Sequence, residues 1–408
     1  MKQIVKNTFL CLLFPLSCAA GGFQVNTQGQ KALGMGGAFT GIGSDASSVY
    51  FNPGAIALLP EKQHYCVGAN LIFPKVAVRT AAVAEEHMTS PAGHPIFLYC
   101  AGRINQYLSF GMGVNNQFGS TSSYPNEWQG KFIVQKLALK TFMYQPTVSF
   151  NYKNKVGFGL GYVYSSANFE YNKTIPIAGT TTEHGEVSLT GSAHTTGYNM
   201  GVFCKPMESV AVGFSYRTKL EMPLNQGMAS FSDIPSSLTS VFPETTRFNS
   251  SLTLPAVLSA GVAFHPDSLK KMLIAFDVVR TYWSSYDTLR FDFENETTPD
   301  SKVTKDWHNT MTYRLGIAYK IKPSITLRAG TYYDETPVPE GRVSPETPDN
   351  NTIGFTMGIG LEFCKHYSLD ASWLHNALKR TGTLDEEGFS AEYHRRINLF
   401  GLSMAAHF

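Results

Sequence analysis

The sequence contains few charged residues and no long apolar run after its first residues. Lys, Arg, Asp and Glu make up 16% of the 408 residues, whereas soluble domains average about a quarter. The formal net charge of +2 gives no electrostatic basis for binding nucleic acid. No segment after the leader has the roughly 18 consecutive apolar residues that a membrane helix needs. The low charge and the lack of a long apolar run leave two classes of protein open: a soluble protein, or a β-barrel that crosses a membrane with strands.

Signatures of catalysis and of metal binding are also missing. The stretches GMGVNN and GMGGAF lack the last glycine of the dinucleotide pattern, GFSYR departs from the nucleophile elbow, and no Walker sequence occurs. His87 and His94, like His184 and His194, have no partner at a recognised ligand spacing. We therefore expect no enzyme, no catalytic residue, no cofactor and no metal. A hydrolase on a barrel rim is the rival hypothesis, since loop side chains can converge unseen.

The first 20 residues have the pattern of a secretory signal peptide. Two lysines precede an apolar run at residues 9–16, and small residues end at Ala20, so Gly21 is the expected mature N-terminus. Lipidation of Cys18 is the minor alternative, because Pro15 stands where the lipid-attachment pattern wants an aliphatic residue. The remaining cysteines have scattered spacings and are expected as small apolar wall residues rather than as a disulfide: Cys66, Cys100, Cys204 and Cys364.

Strict alternation of side chains distinguishes the two classes left open. In TYRLGIAYK, one face carries Tyr313, Leu315, Ile317 and Tyr319, while the other carries Arg314 and small residues. The same pattern returns in HYSLDASWLH and VGFGLGYVY. An apolar face bounded by aromatic residues, opposite a face of Gly, Ser, Arg and Asp, is typical of a barrel with lipid outside. A soluble β-sandwich, whose strands also alternate, is the alternative.

The connections favour the barrel. Tight links are expected near residues 103–106, 152–155, 205–208, 265–269, 320–323 and 364–366. Longer loops are expected at about 74–94, 118–136, 166–186, 219–251, 284–305, 334–350 and 376–392. Short and long connections thus alternate, as they do between periplasmic turns and outer loops. The count predicts an all-β fold, a transmembrane antiparallel β-barrel of about 14 strands.

Residues 21–60 precede the first convincing strand and are rich in Gly and Ala. A barrel of this size leaves a lumen too wide for wall side chains to fill, so this segment is expected as a plug inside it. Pro53 fixes its own φ and biases Asn52 toward an extended conformation, while Gly54 permits a sharp change of direction. A disordered leader is the alternative. The predicted domains are a signal peptide (1–20), a hatch (21–60) and a barrel (61–408).

Several motifs together resemble the outer-membrane long-chain fatty acid transporters (the FadL family), which include importers of aromatic hydrocarbons. ALGMGGAFTGIGSDASSVYFNPG is similar to the family's hatch, FGSTSSYPNEWQGKF to its Tyr-Pro and Trp-x-Gly-basic loop, and LTLPAVLSAGVAFHP to its Leu-x-Leu-Pro strand entry. YRLGIAYKIKPSITLRAGTYYDETPVPE and TPDNN resemble its penultimate region. The order of motifs also matches. Gly54 is a departure, since the family usually has Ala there.

The resemblance implies a monomeric barrel in the bacterial outer membrane that takes up hydrophobic molecules by diffusion. Its ligand would rest in an apolar groove among the outer loops, move to a pocket against the hatch, and leave sideways through the wall. Expected partners are a hydrophobic ligand and outer-membrane lipid, without nucleic acid. Long-chain fatty acids are the favoured cargo. Aromatic hydrocarbons, alkanes and a surface structural or adhesion role are the alternatives.

The same resemblance directs attention to the third strand, LSFGMGVNNQFG, where the family has an inward kink. Gly111 and Gly113 lie inside it, and the adjacent Asn115 and Asn116 break the alternation. One of two neighbouring Asn side chains would face lipid in a regular strand, so a bulge or kink is expected. A strand that ends by Val114 is the alternative.

Candidate ligand contacts fall into three groups. Expected in the outer groove are Phe118, Tyr124, Trp128 and Phe132; facing the ligand from the hatch are Phe51, Ile56 and Leu59. An inward Arg314 or Arg328 is a candidate for holding a carboxylate through bidentate hydrogen bonds. Packing of the apolar residues against loop or wall, and pairing of the arginines with protein carboxylates, are the competing explanations.

Overall fold

One antiparallel sheet closed into a barrel dominates the computed structural model, which describes residues 21–177, 184–266, 269 and 271–408. Its first half contains β1 (Gln63–Arg79), β2 (Glu86–His87), β3 (Ile96–Arg103), β4 (Leu108–Asn115), β5 (Gly119–Ser123), β6 (Lys136–Tyr152), β7 (Val156–Pro176), β8 (His184–Met207), β9 (Val210–Arg217) and β10 (Leu220–Ser232). The second half contains β11 (Thr245–Leu254), β12 (Val257–Phe264), β13 (Met272–Thr281), β14 (Thr288–Phe293), β15 (Ser301–Thr304), β16 (Thr310–Lys322), β17 (Ile325–Asp334), β18 (Thr352–Phe363), β19 (Tyr367–Leu384) and β20 (Phe389–His407). Because β1 pairs with β20 along its length, the sheet is closed.

These segments form the 14 antiparallel strands of the barrel wall, and we call each of them a stave because some consist of two segments. Five staves are each interrupted once, and they consist of β4 with β5, β9 with β10, β11 with β12, β13 with β14, and β15 with β16. The two-residue β2 lies in the loop after β1. The predicted all-β transmembrane barrel is confirmed. No helix in the described part of the chain is long and apolar enough to cross a membrane.

Helical structure is short. It comprises α1 (Gln30–Leu33), α2 (Ser48–Phe51) and 3-10 helices at Pro53–Leu58, Ser236–Leu238, Trp283–Ser285 and Asp385–Glu387. The first three of these helices lie before β1. The predicted signal peptide lies outside the described residues.

An apolar band covers the outside of the barrel. Tyr313, Leu315 and Ile317 on β16 are exposed, while Arg314 between them is buried. Strands β1, β7 and β20 repeat this arrangement with exposed Tyr65, Val67, Leu71, Phe73, Phe158, Leu160, Tyr162, Tyr164, Phe400, Leu402 and Met404. Large apolar side chains in this number are stable on the outside only against lipid.

Three stretches expected as long loops are instead largely paired as hairpins, although the connection between β10 and β11 remains twelve residues long (233–244). β7 and β8 pair continuously from Val156 to Pro176, and β19 and β20 pair to Leu384, with β10 and β11 forming a third hairpin. The expectation was wrong because, beyond the membrane, the apolar side chains lie on the inward face of the strands instead of the outward face. On β7, Phe158 faces outward, whereas further along Phe169 and Tyr171 face inward and are buried.

The inward side chains of these hairpins build an apolar core at the end of the barrel where the longer connections lie, which we call the loop end. This outer apolar cluster includes Phe23, Phe118, Trp128, Phe248, Trp283 and Phe291. The opposite end, with its tight connections, is the turn end. Apart from Phe23, which belongs to the outer apolar cluster, the apolar residues of the chain before β1 pack in separate clusters against the inward faces of the wall strands.

Candidate functional site

Residues 21–59, the N-terminal segment, are anchored to the inner wall by hydrogen bonds. The backbone N–H groups of Phe39 and Thr40 both donate to Asp277 Oδ2 at 2.8 Å. Gly36 N donates to Thr356 Oγ1 of β18 at 2.9 Å. These bonds satisfy backbone donors that no helix or strand pairs, and they fix the segment across the lumen.

The Asn52-Pro53-Gly54 corner is fixed by the Asn52 side chain. Its Oδ1 accepts a hydrogen bond from Gly54 N at 3.1 Å, which caps the 3-10 helix Pro53–Leu58. Its Nδ2 donates to the carbonyl oxygens of Thr40 and Val202, each at 3.0 Å. One side chain therefore joins the corner, the rest of the N-terminal segment and the wall.

Four wall glycines make room for this corner. A β-carbon on Gly54 would lie 2.6 Å from Gly157 O and 2.8 Å from Gly201 O, and one on Gly159 would lie 2.5 Å from Gly54 N. A β-carbon on Gly213 would overlap the carbonyl oxygen of Thr40. The inward glycines of VGFGLGYVY thus form the surface against which the N-terminal segment packs, and we call this surface the seat of the corner.

A buried cavity of about 30 Å³ lies between the N-terminal segment and the wall. It is lined by Gln24, Asn26, Thr40, Tyr50, Phe51, Gln117, Ser215, Arg217, Val257, Ser259, Val279 and Arg314. Arg217 and Arg314 contribute the two positive charges of this lining, and both side chains are almost completely buried.

Both arginines are held by neutral groups. Arg217 donates to Gln145 Oε1 at 3.0 Å and to Tyr50 O at 3.3 Å, and its guanidinium lies 4.6 Å from the Tyr50 ring centroid. Arg314 donates to Gly37 O at 3.3 Å and to Asn26 Oδ1 at 3.1 Å. Neither forms an ion pair with an acidic side chain in the described part of the chain. Asp277 is nevertheless the direct cross-strand partner of Arg314, and both side chains are buried on the inner face. Arg217 is therefore the cavity cation with no described carboxylate beside it.

The third stave is interrupted beside this cavity, between β4 and β5. Asn115 faces Met143 on β6 and Gly119 faces Lys140, so the interrupted stave has one residue more than its neighbour. The Asn116 side chain spans the break, because its Oδ1 accepts from Ile96 N at 2.9 Å and its Nδ2 donates to Thr141 O. The structure thus has an irregularity at Asn116, with Gly111 and Gly113 in the regular strand before it.

The beginning of the N-terminal segment pairs with the interruption. Val25 N donates to Gln117 O at 2.8 Å, and Gly119 N donates to Phe23 O at 3.0 Å. The Gln117 side chain is buried, and neither its Nε2 nor its Oε1 has a partner within the described residues. The break in the wall, the N-terminal segment and the cavity therefore share one set of residues.

The other candidate residues are distributed as follows. Phe51 lines the cavity, whereas Ile56 and Leu59 pack against β3 in a cluster with Phe97 and Tyr99. Arg328 on β17 is paired at 2.8 Å with Asp370 on β19, two strands away, and does not line the cavity.

The four aromatic candidates for an outer groove lie apart from the cavity. Tyr124 stacks on Trp128 at 4.0 Å between ring centroids, and with Phe118 both belong to the buried outer apolar cluster. Phe132 is the exposed member, at 38% of its surface. In this conformation three of the four are packed within the protein.

Sequence reasoning missed Arg217 and Gln117. Arg217 could have been found, since it alternates with the outward Phe214 and Tyr216 as Arg314 does with its neighbours. Gln117 carries no such signal, because it lies where the alternation fails. Across the described residues no group of three or more His, Cys, Asp or Glu side chains is arranged to hold a metal ion. Cys66, Cys100, Cys204 and Cys364 are free thiols.

Comparisons with known proteins agree with this architecture. The model of the family described as outer membrane protein transport protein (OMPP1/FadL/TodX) matches residues 12–408. The chain is 23% identical over 419 residues to the long-chain fatty acid transport protein of Escherichia coli O6:H1, covering 93% of both chains. It is 23% identical to outer membrane protein P1 of Haemophilus influenzae, covering 91% of this chain and 92% of that one.

Two solved structures are similar in fold. A Pseudomonas aeruginosa FadL homologue has a TM-score of 0.84 at 17% identity, covering 95% of this chain and 100% of that chain. The Pseudomonas putida toluene transporter TodX has a TM-score of 0.78 at 17% identity, covering 95% and 99%.

Proposed function

The chain belongs to the outer membrane protein transport family (OMPP1/FadL/TodX), outer-membrane barrels that transport hydrophobic molecules, and we propose that its substrate is a long-chain fatty acid. The observation that carries this proposal is the buried pair of arginines at the cavity. Neither arginine forms an ion pair among the described residues, although Asp277 lies directly across from Arg314 on the adjacent strand, and buried cations are normally paired. A fatty acid supplies the missing carboxylate, to which a guanidinium donates two parallel hydrogen bonds. Gln117 adds a free amide for the same headgroup.

The cavity in this conformation is smaller than a whole fatty acid. Its volume of about 30 Å³ accommodates a headgroup or a water molecule, whereas sites for drug-sized ligands run to about 300–1,000 Å³. The acyl chain therefore needs side chains to move. Phe51, Val257 and Val279 offer apolar lining for the first methylenes.

We infer that the N-terminal segment acts as a hatch and that the interrupted third stave is the exit. Support comes from the backbone pairing of Phe23 and Val25 with Gln117 and Gly119, since displacement of the segment by a ligand would remove that pairing. An exit directed into the bilayer keeps an apolar chain out of water. The outer apolar cluster, with Phe118, Tyr124 and Trp128, is the entry side, where opening would expose a groove.

Binding measurements on the purified protein test the headgroup site. We expect Arg217→Gln and Arg314→Gln each to weaken oleate binding at least about 10-fold, because hydrogen bonds to charged groups contribute about 1.5–3 kcal/mol. Binding of methyl oleate, which has no charged oxygen, should change little. Arg280→Gln is the control, since Arg280 is exposed on the outer face of β13. Equal losses for the acid and its ester would contradict a carboxylate site.

Uptake by cells identifies the cargo. Labelled oleate, toluene and an alkane are supplied to cells that make the protein or the two cavity variants. Oleate accumulation that depends on the arginines supports the proposal, whereas toluene uptake that is insensitive to them points to aromatic hydrocarbons. Absence of uptake with a correctly assembled barrel would support a surface structural role or an enzyme at the rim.

A further inference from the structure

Two cations face each other on the outside of the barrel where its first and last strands meet. Lys75 on β1 is the direct cross-strand partner of Arg396 on β20, and both side chains are exposed. Like charges in this position destabilise an antiparallel pair. Neither side chain forms an ion pair with a described acidic residue, because Glu85 and Glu392 pair elsewhere on this surface. An anion shared by the two side chains would remove the repulsion.

The position of the pair defines its surroundings. Along β1 the outward side chains are apolar up to Phe73, which is 41% exposed, and Lys75 is the next outward residue. Phe73 contacts Phe400 of β20 edge to face, with 6.2 Å between ring centroids. Aromatic residues mark the edges of the apolar band of such barrels. The two cations therefore lie just beyond that band, on the loop end, at the level of lipid headgroups.

The surface around the pair is open and basic. Ala377 of β19 faces Arg396, and Ala77 follows two residues after Lys75, while His394, which faces Ala77, is held by Glu392 at 2.6 Å. Further from the membrane, Arg79 and Lys379 both contact Glu392, at 3.7 and 2.7 Å. The Glu392 carboxylate is therefore already paired with two cations, so the charges of Lys75 and Arg396 remain available to a ligand.

We propose that Lys75 and Arg396 bind a phosphate group of the phosphorylated glycolipid in the outer leaflet. The loop end faces that leaflet, because long loops point outward in this barrel class. A guanidinium offers a fork of donors that matches phosphate, and an ammonium adds a mobile point charge. The lipid's acyl chains would lie along Phe73 and Phe400. The bound lipid would join β1 to β20 at the seam that closes the barrel.

Lipid binding to the full-length protein in mild detergent tests this site. Native mass spectrometry measures binding of lipid A, of dephosphorylated lipid A and of inorganic phosphate to the wild type and to the Lys75→Gln/Arg396→Gln double variant. We expect at least 10-fold weaker binding of lipid A by the double variant, and a similar loss when the wild type meets the dephosphorylated lipid. The control is Lys140→Gln, a single exposed lysine beyond Phe142 on β6 whose cross-strand neighbours are Gly119 and Asn168.

Stability provides a second measurement. Lipid A should raise the thermal unfolding temperature of the wild type and of the control more than that of the double variant, because a ligand stabilises the state it binds. Removing two repelling exposed charges is not expected to impair folding. Equal lipid A binding by wild type and double variant would overturn the proposal, as would equal binding of the phosphorylated and dephosphorylated lipids. Tight binding of inorganic phosphate alone would equally overturn a lipid site.

Discussion

A β-carbon on Gly54 would lie 2.6 Å from the carbonyl oxygen of Gly157, so the corner of the N-terminal segment and the barrel wall are in direct backbone contact. Gly159 and Gly201 extend this contact on the adjacent residues and strand. Backbones approach this closely only where neither carries a side chain. The fit of the hatch therefore depends on glycines of the wall as much as on the hatch sequence.

Replacing Gly159 with valine should displace the Asn52-Pro53-Gly54 corner of the hatch from the barrel wall. The new side chain would overlap the backbone between Pro53 and Gly54, and overpacking of this kind costs about 1–3 kcal/mol. We expect cells that make Gly159→Val to become more sensitive to a bulky polar antibiotic. Gly102→Val on β3 is the matched control, because the nearest contact of a β-carbon there is an ordinary 3.7 Å. Equal sensitivity of the two strains, with both barrels assembled, would show that the seat does not hold the hatch.

Gly54→Ala should destabilise this chain, although the FadL resemblance suggests alanine at the corner. The added β-carbon would meet two carbonyl oxygens of the wall, at 2.6 Å from Gly157 and 2.8 Å from Gly201. We expect a loss of about 1–3 kcal/mol in the free energy of unfolding. Thermal unfolding in detergent measures this loss. An unchanged unfolding temperature would mean that the wall moves to accept a methyl group.

The sequence predicted the barrel wall well because lipid imposes a simple rule on it. Outward residues such as Leu315 and Ile317 must be apolar, so the period of two is visible directly. Outside the membrane the rule reverses, and Phe169 and Tyr171 turn inward. That reversal concealed the long hairpins. The alternation places the glycines of β7 on the inward face, but nothing in the local sequence indicates that another backbone contacts them.

The candidate site was predicted less completely, because an inward arginine does not reveal its partner. Arg314 and Arg328 have the same alternation pattern, yet Arg328 forms an ion pair with Asp370, whereas Arg314 donates to neutral oxygens although Asp277 lies directly across from it. Asp370 lies 42 positions away in the sequence. Arg217 reaches the cavity from a strand on another part of the wall. Only the closed barrel brings these residues together.

Asn116→Ala should loosen the wall at the interrupted stave. The substitution removes the acceptor of Ile96 N and the donor to Thr141 O, and an unpaired backbone group costs about 1–3 kcal/mol, or more in lipid. We expect faster hydrogen exchange in the peptide containing Ile96. Asn105→Ala is the control, since Asn105 accepts from Tyr107 N and Leu108 N in the turn at the other end of the same hairpin. Unchanged exchange near Ile96 would mean that other contacts hold the break.

A buried ion pair stabilises the packing of the loop end. Lys305 Nζ lies 2.9 Å from Glu346 Oε1, and the side chains are 7% and 8% exposed. Burial alone would lower the pKa of Lys305, but the Glu346 carboxylate raises it above its usual 10.5. Burial alone would raise the pKa of Glu346, but the Lys305 ammonium lowers it below its usual 4.5. Both shifts favour the charged pair.

The signs of these shifts define a pH window. A lowered carboxyl pKa contributes stability that is complete above the unfolded value of 4.5 and is lost as the pH falls through the folded value. A raised ammonium pKa contributes stability that is complete below 10.5 and is lost as the pH rises through the folded value. We expect the tryptophan fluorescence of the loop end to report thermal unfolding at lower temperature below pH 4.5 than at pH 7.

Lys305→Met should cost about 3–5 kcal/mol at pH 7, because it leaves the Glu346 carboxylate buried without a partner. The double variant Lys305→Met/Glu346→Leu should recover most of that loss, since apolar replacements of a buried pair are often neutral. Arg290→Met is the control, because its partner Asp292 is an exposed residue and such surface pairs contribute about 1 kcal/mol or less. If the double variant is as unstable as Lys305→Met, the loss reflects packing of the lysine side chain rather than an unpaired buried charge.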